Sequence, residues 1–139
     1  MFVLLFILMI LSKYVIAIVL IFSLHTHTAI EPPQPKIIAL HNFTVTAYCF
    51  CNTCNGHWGA QTCEGIPFQY FFDNNTKICA VDKIVIPLGS WIQYNGEIYW
   101  AKDVGGQIKG NHIDILMPTH EIARQFGRKT NQTIYMVGK

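Results

Sequence analysis

The sequence predicts a small, mainly β domain, a barrel of short strands with one short helix, preceded by a hydrophobic helix at the N-terminus. Three observations carry that expectation. From His41 to Tyr48 the chain alternates, with Phe43, Val45 and Ala47 on one face and Thr44, Thr46 and Tyr48 on the other, the pattern of a half-buried strand. Asn95-Gly96 separates two strand-like runs, and both residues tolerate the positive φ of a type I′ hairpin turn. Only Pro118 to Phe126, stopped by Gly127, reads as a helix of the folded part. Several short strands with a single helix favour a closed barrel.

The elements follow in order. Met1 to Leu24 is apolar apart from Ser12, Lys13 and Ser23, and it has no polar face with which to lie on a soluble core. Residues 1–29 therefore read as an export segment. As a signal anchor the run is long enough to span a bilayer, but Lys13 then sits near mid-membrane, which is costly. With Met9 as the start, Lys13 belongs to a basic n-region, Tyr14 to Leu24 forms the h-region and His25 to Ala29 the c-region, although His27 is not small enough for a good cleavage site. Both versions stay open, and both export the chain, so membrane contact is expected if the segment is retained. Residues 30–36 contain Glu31-Pro-Pro-Gln-Pro35, a stiff spacer. Residues 37–139 form the domain, about 105 residues and one core.

Within it, Cys49 to Asn75 is rich in Cys, Gly, Asn and aromatic residues and reads as a long loop. Ile78 to Val81 is a short apolar strand. Pro87 bars Ile84 to Gly89 from being a central strand. Ser90 to Tyr94 and Glu97 to Ala101 flank the hairpin turn, Val104-Gly-Gly106 is a turn, and Ile113 to Leu116 and Thr133 to Val137 are strands. The formal net charge is only +2, with no basic run, which excludes a nucleic-acid partner.

Three acids stand in similar settings in a chain with only eight Asp and Glu. Asp82 follows the strand Ile78 to Val81. Asp103 follows the hairpin and precedes Gly105-Gly106. Asp114 lies between Ile113 and Ile115, so it points away from the face those two share. These positions alone also suit ordinary edge and turn aspartates. The wider context does more. Ala80-Val-Asp82, Val85-Ile-Pro-Leu-Gly89, the run Ala101-Lys-Asp-Val-Gly-Gly-Gln-Ile-Lys-Gly-Asn-His-Ile-Asp114, and Ala123 to Gly127 together resemble the three-aspartate (Asp-Asp-Asp) domain family, with the acids at intervals of 21 and 11 residues. Thr46-Ala-Tyr48 resembles the strand that opens that domain.

The resemblance implies a double-psi β-barrel of six strands, kinship with the catalytic barrel of membrane-bound lytic transglycosylase A, and a peptidoglycan glycan strand as partner. It implies cleavage of the β-1,4 bond between N-acetylmuramic acid and N-acetylglucosamine with a 1,6-anhydro product and no cofactor. Asp114 is then the general acid and base, Asp103 its electrostatic neighbour and Asp82 the third member. Gly105 and Gly106 would let the chain approach a sugar, Thr46, Tyr48 and Thr62 would line the groove, and Lys109 would face an acidic peptide stem or solvent. A non-catalytic glycan-binding or wall-loosening barrel is the alternative, and a hydrolase, with Glu64 as a second carboxylate, is a third reading. Lys83 in place of a frequent proline and Thr62-Cys-Glu-Gly65 depart from the family pattern.

The five cysteines, Cys49, Cys51, Cys54, Cys63 and Cys79, have two readings. In an exported protein disulfides are expected first, with one thiol left over. A zinc site of Cys49, Cys51 and Cys54 with His57 is the other. No metal is expected in the reaction itself.

Overall fold

The computed structural model describes residues 36–56 and 59–137, together with helical positions 5, 7, 9–11 and 13–15. Among the described residues no helix is long and apolar enough to cross a membrane. Most of the segment read as an export signal, the spacer 30–35 and His57 lie outside the described residues. Residues 35–139 form one compact unit.

Among the described residues six strands and three short helices build that unit: β1 (Ile37–Tyr48), α1 (Asn52–Asn55), α2 (Phe68–Asp73), β2 (Ile78–Val81), β3 (Trp91–Tyr94), β4 (Glu97–Asp103), β5 (His112–Leu116), α3 (His120–Phe126) and β6 (Lys129–Val137). The strands close into a barrel in the order β1-β5-β2-β4-β3-β6. Two pairs are parallel, β1 with β5 and β2 with β4, and the rest are antiparallel. This is the closed six-stranded, double-psi type of barrel expected from the sequence. The loop between β1 and β2 differs from expectation by containing two helical turns, α1 and α2, rather than irregular chain throughout.

The turn chemistry follows the residues. Asn95 and Gly96 both take positive φ, 48° and 78°, as a type I′ turn between β3 and β4 requires. Helix α3 begins at Thr119, whose hydroxyl accepts from the Ile122 N–H, and ends at Gly127 with φ 69°. Strand β1 is longer than its alternating core, because Ile37 to Leu40 pair with Ile134 to Val137. Its register against β6 shifts twice. Asn42 and Asn131 take positive φ beside those shifts, and asparagine adopts that conformation more cheaply than other side chains.

Strand alternation sorts the side chains into two cores. Val45, Cys79, Val81, Ala101, Ile113, Ile115 and Ile134 fill the barrel interior with Phe43, Ile86 and Ile92. Tyr48, Ile78, Ala80 and Leu116 point the other way and pack beneath Phe68 and Phe71 of α2 and under Ile108. The β1–β2 loop is therefore a cover folded over one outer face of the barrel. Each fully buried aliphatic or aromatic side chain contributes about 1.5–3 kcal/mol, so this second core is what fixes the cover in place.

Candidate functional site

The register of the barrel sets the site. Thr46 lies opposite Asp114, Asp114 opposite Ala80, and Ala80 opposite Asp103. Four strands, β1, β5, β2 and β4, thus present one row across the covered outer face. Strict alternation from Ala101 would turn Asp103 inward. A one-residue register shift between Cys79 and Ala80 against β4 brings it level with Ala80 instead, as a β-bulge does. Ala80, buried in the second core, puts only a methyl group between the two carboxylates. The backbones carrying them stand two strand spacings apart, about 9–10 Å.

Asp103 is 5% exposed and fully bonded. Its Oδ2 accepts from the Tyr48 hydroxyl at 2.8 Å. Its Oδ1 accepts from the Cys63 N–H at 2.8 Å and from its own neighbour Val104 N–H at 2.9 Å. Tyr48 is held neutral as a donor, since burial and then the charge of Asp103 push its phenol well above the ordinary value. Asp103 therefore does two things: it carries charge into the row, and it ties the cover loop to β4.

Asp114 is half-buried. Its Oδ1 meets the Thr46 hydroxyl at 2.6 Å, and Thr46 Oγ1 in turn meets His112 Nε2 at 2.9 Å. Among the described residues no group bonds its other oxygen. Burial raises the Asp114 carboxyl above the usual carboxylate range, the Thr46 hydrogen bond and the Arg128 charge oppose that rise, and the Asp103 charge adds to it. Burial is thus the leading cause of the rise, while Ile113 and Ile115 face the barrel interior on the opposite side of β5. His112 is pushed down by burial, then by Arg128, so it is neutral near pH 7. A hydroxyl has one proton to give. When Asp114 is ionised, Thr46 donates to it and His112 donates to Thr46. When Asp114 holds a proton, it donates to Thr46, whose own proton turns to His112 Nε2, the ring then being the neutral tautomer that carries its proton on Nδ1. The three side chains form a hydrogen-bonded chain that accommodates both states of Asp114. Replacing Thr46 by Val removes a bond that holds the carboxyl down, so the Asp114 pKa is expected to rise further in a carboxyl-carbon NMR titration; a fall would contradict this role of Thr46.

Asp82 is not in the row. Its Oδ2 accepts from the Gly110 N–H at 2.8 Å and its Oδ1 from the Ile84 N–H at 3.1 Å, while its carbonyl closes the following turn through Val85 and Ile86. It fastens the 82–86 turn to the loop before β5. The two N–H bonds, first Gly110 and then Ile84, lower its pKa. A carboxyl lowered on folding stabilises the fold above its unfolded pKa, about 4, and that contribution is lost as pH falls through the folded value. Asp82→Ala is therefore expected to lower the melting temperature at pH 7, with the gap to the parent narrowing at pH values below about 4. A gap that stays constant across that range would contradict the assignment.

The remaining residues expected to line a groove divide. Thr62 is buried, and its hydroxyl accepts from the Ile66 N–H at 3.2 Å, so it shapes the turn that presents the Cys63 N–H to Asp103. A Cβ on Gly105 would lie 2.7 Å from Ile108, whereas Gly106 has open space; only the first requires glycine. Gly110, at φ 63°, is the glycine that the Asp82 bond uses. Lys109 is exposed and meets Asp82 only through its charge. Glu64 is paired with Lys102, which also lies 4.8 Å above the Trp100 ring. His112 was missed from the sequence, yet period-2 spacing places it on the face of Asp114. Arg128 carried no signal there. The cavity lined by Phe71, Phe72, Ile78, Tyr99, Leu116 and Pro118 contains none of the three acids.

The cysteine expectation changes as well. All five are free thiols. Cys79 is enclosed in the barrel, Cys63 lies on the cover, and the Cys49 and Cys51 sulfurs stand 3.1 Å apart, well beyond a disulfide bond length of about 2.05 Å. The structure shows none of the expected disulfides: the Cys49, Cys51 and Cys54 sulfurs converge on His120 instead, and Cys63 and Cys79 lie apart from that cluster.

Comparison with known proteins agrees with this geometry. Residues 77–138 match the family model of the 3D domain. The chain is 41% identical over 100 residues to the SPbeta prophage-derived uncharacterized protein YorM of Bacillus subtilis (strain 168), covering 68% of this chain and 41% of that protein. It is 41% identical over 96 residues to the putative cell wall shaping protein YabE of the same organism, covering 68% and 22%, respectively. It is 40% identical over 94 residues to the cell wall-binding protein YocH, also of that organism, covering 66% and 31%. The chain thus spans less than half the length of these curated relatives.

Proposed function

Starting from the chain's membership of the 3D domain family, we propose that it is an exported peptidoglycan lytic transglycosylase in which Asp114 is the general acid and base. The observation that carries this reading is Asp114 itself: a half-buried carboxyl with a raised pKa, one oxygen held by Thr46 and the other without a bond among the described residues. A proton donor for a glycosidic oxygen needs that combination of retained proton and free edge. In the proposed reaction Asp114 protonates the oxygen leaving C1 of N-acetylmuramic acid. The C6 hydroxyl of the same sugar attacks C1, and its proton passes to the Asp114 carboxylate. The bond to N-acetylglucosamine breaks, a 1,6-anhydro ring forms, and the carboxyl is regenerated without a water molecule. Asp103 raises the proton affinity of Asp114 through its charge, and Asp82 holds the neighbouring loop.

A hydrolase would need a second carboxylate across the scissile bond. Glu64, paired with Lys102, is not free for that work, which favours the single-acid route. The binding-module reading keeps one supporting observation, the name of a relative described as a cell wall-binding protein. Co-sedimentation of the purified chain with insoluble peptidoglycan, followed by release of soluble material, separates the two. Sedimentation with release in the parent and sedimentation without release in Asp114→Asn is the expected pattern. Sedimentation with no release by the parent would leave only the binding module.

A further inference from the structure

The acid row leaves one cluster of reactive side chains unused, and it lies at the junction of the cover loop with α3. Cys49 Sγ, Cys51 Sγ and Cys54 Sγ stand 3.9, 3.6 and 3.3 Å from His120 Nδ1. All four atoms lie within 4.8 Å of one another. We propose that Cys49, Cys51, Cys54 and His120 hold a zinc ion in a closed tetrahedral site that fastens the loop after β1 to the start of α3.

The distances fit the ion. Zinc–sulfur bonds of about 2.3 Å and zinc–nitrogen bonds of about 2.0–2.1 Å at tetrahedral angles put sulfur and nitrogen about 3.5 Å apart. The three sulfur–nitrogen separations straddle that value. Cys49 and Cys51, at 3.1 Å, would open by about 0.7 Å to reach the sulfur–sulfur distance of about 3.8 Å that the same bonds give. Three thiolates and one imidazole are a soft donor set that selects zinc over magnesium or calcium. With four protein ligands no position remains for water, so the role is structural.

The local backbone is also arranged for it. The N–H groups of Cys54 and Thr53 face Cys51 Sγ, which satisfies a metal-bound thiolate from its outer side. The Cys51 carbonyl accepts from the Cys54 and Asn55 N–H groups, closing a one-turn knuckle between the second and third sulfurs. Helix α1 has four residues, none buried, and no side-chain cap. So short a helix is not stable by itself, and the four-ligand site supplies the missing fastening. The odd cysteine count has an explanation too: three thiols serve the ion, and Cys63 and Cys79 lie elsewhere. Binding displaces one proton from each thiol, leaves His120 neutral and involves no change of oxidation state.

Cys49 directly follows Tyr48, which holds Asp103, so the ion would also steady one wall of the acid row. The test uses the full chain, purified under reductant, loaded with Zn²⁺ or Co²⁺ and freed of excess metal. The expected result is about one equivalent of zinc per chain, a cobalt form with the thiolate-to-cobalt absorption of a tetrahedral site, and a lower melting temperature on chelation. His120→Ala is expected to weaken metal binding by at least about tenfold while circular dichroism still reports the barrel, and His120→Cys is expected to retain the ion. Failure of the folded, fully reduced parent to keep either metal would overturn the proposal. So would a disulfide among Cys49, Cys51 and Cys54 in chain purified without reductant, or unchanged affinity in His120→Ala.

Discussion

Asp114→Asn is expected to abolish bond cleavage and, at the same time, to raise the melting temperature at pH 7 by a few degrees. Both effects come from one cause. Burial raises the Asp114 pKa, so the folded state binds a proton more tightly than the unfolded chain. The carboxyl's favourable contribution is complete below its unfolded pKa, near 4, and is lost as pH rises through the folded value. At neutral pH an ionised Asp114 therefore costs stability. Asparagine keeps the oxygen that Thr46 holds, carries no charge, and removes the repulsion from Asp103. It has no proton of suitable acidity for a leaving oxygen, and loss of general acid–base catalysis lowers a rate by about 10²–10⁴-fold. Thermal melts and product release on the same preparation check both halves. A variant that melts lower than the parent would contradict the proposed electrostatics of the row.

Asp103 separates from Asp114 in the opposite sense. Asp103→Ala is expected to lower stability by about 3–5 kcal/mol, because it strands buried donors that formed charge-assisted bonds. The Cys63 N–H loses its partner, and the cover loop loses one of its polar ties to β4, the Glu64–Lys102 pair remaining. Asp103→Asn is expected to cost only about 1 kcal/mol. Its oxygen can accept from Cys63 and Val104, and the Tyr48 hydroxyl can rotate to accept from the new amide. The asparagine variant then isolates the charge. It should fold, lower the Asp114 pKa, and reduce activity at the alkaline side of the profile. Denaturant unfolding of the two variants measures the first contrast. Equal losses in both would show that the charge, not the bonding pattern, holds the cover.

Much of the barrel was legible because its signals are local. Alternation around Phe43 and Val45, the Asn95-Gly96 turn and the stop at Gly127 each depend on residues within a few positions of one another. The side of Asp114 was legible for the same reason, since Ile113 and Ile115 claim the other face. What long-range pairing decides was not legible. Strict alternation points Asp103 inward, and only the register shift against β2 turns it outward. Asp82 read as a member of a trio, but its partner Gly110 is 28 residues away, and their bond makes it a loop fastener. The cysteines read as disulfides because nothing near them in sequence announces His120, 66 to 71 residues on. The turn of chain at α3 makes them neighbours.

The same distinction holds within the site. Residues with a free edge, Asp114 above all, are the ones the proposed reaction uses. Residues whose polar atoms are spent on backbone, namely Asp82, Thr62 and one oxygen of Asp103, hold the frame. Three aspartates that look equivalent in the sequence thus have three settings: one open, one buried as a tie, one at a turn.

The most direct test is the chemistry of the products. Purified peptidoglycan is digested with the intact chain and with Asp114→Asn, and soluble muropeptides are analysed by mass spectrometry with and without borohydride reduction. Muropeptides ending in 1,6-anhydro-N-acetylmuramic acid, resistant to reduction and absent from the variant digest, are the expected result. Reducible ends, or anhydro ends that persist undiminished in Asp114→Asn, would contradict the role of Asp114 as the single acid and base.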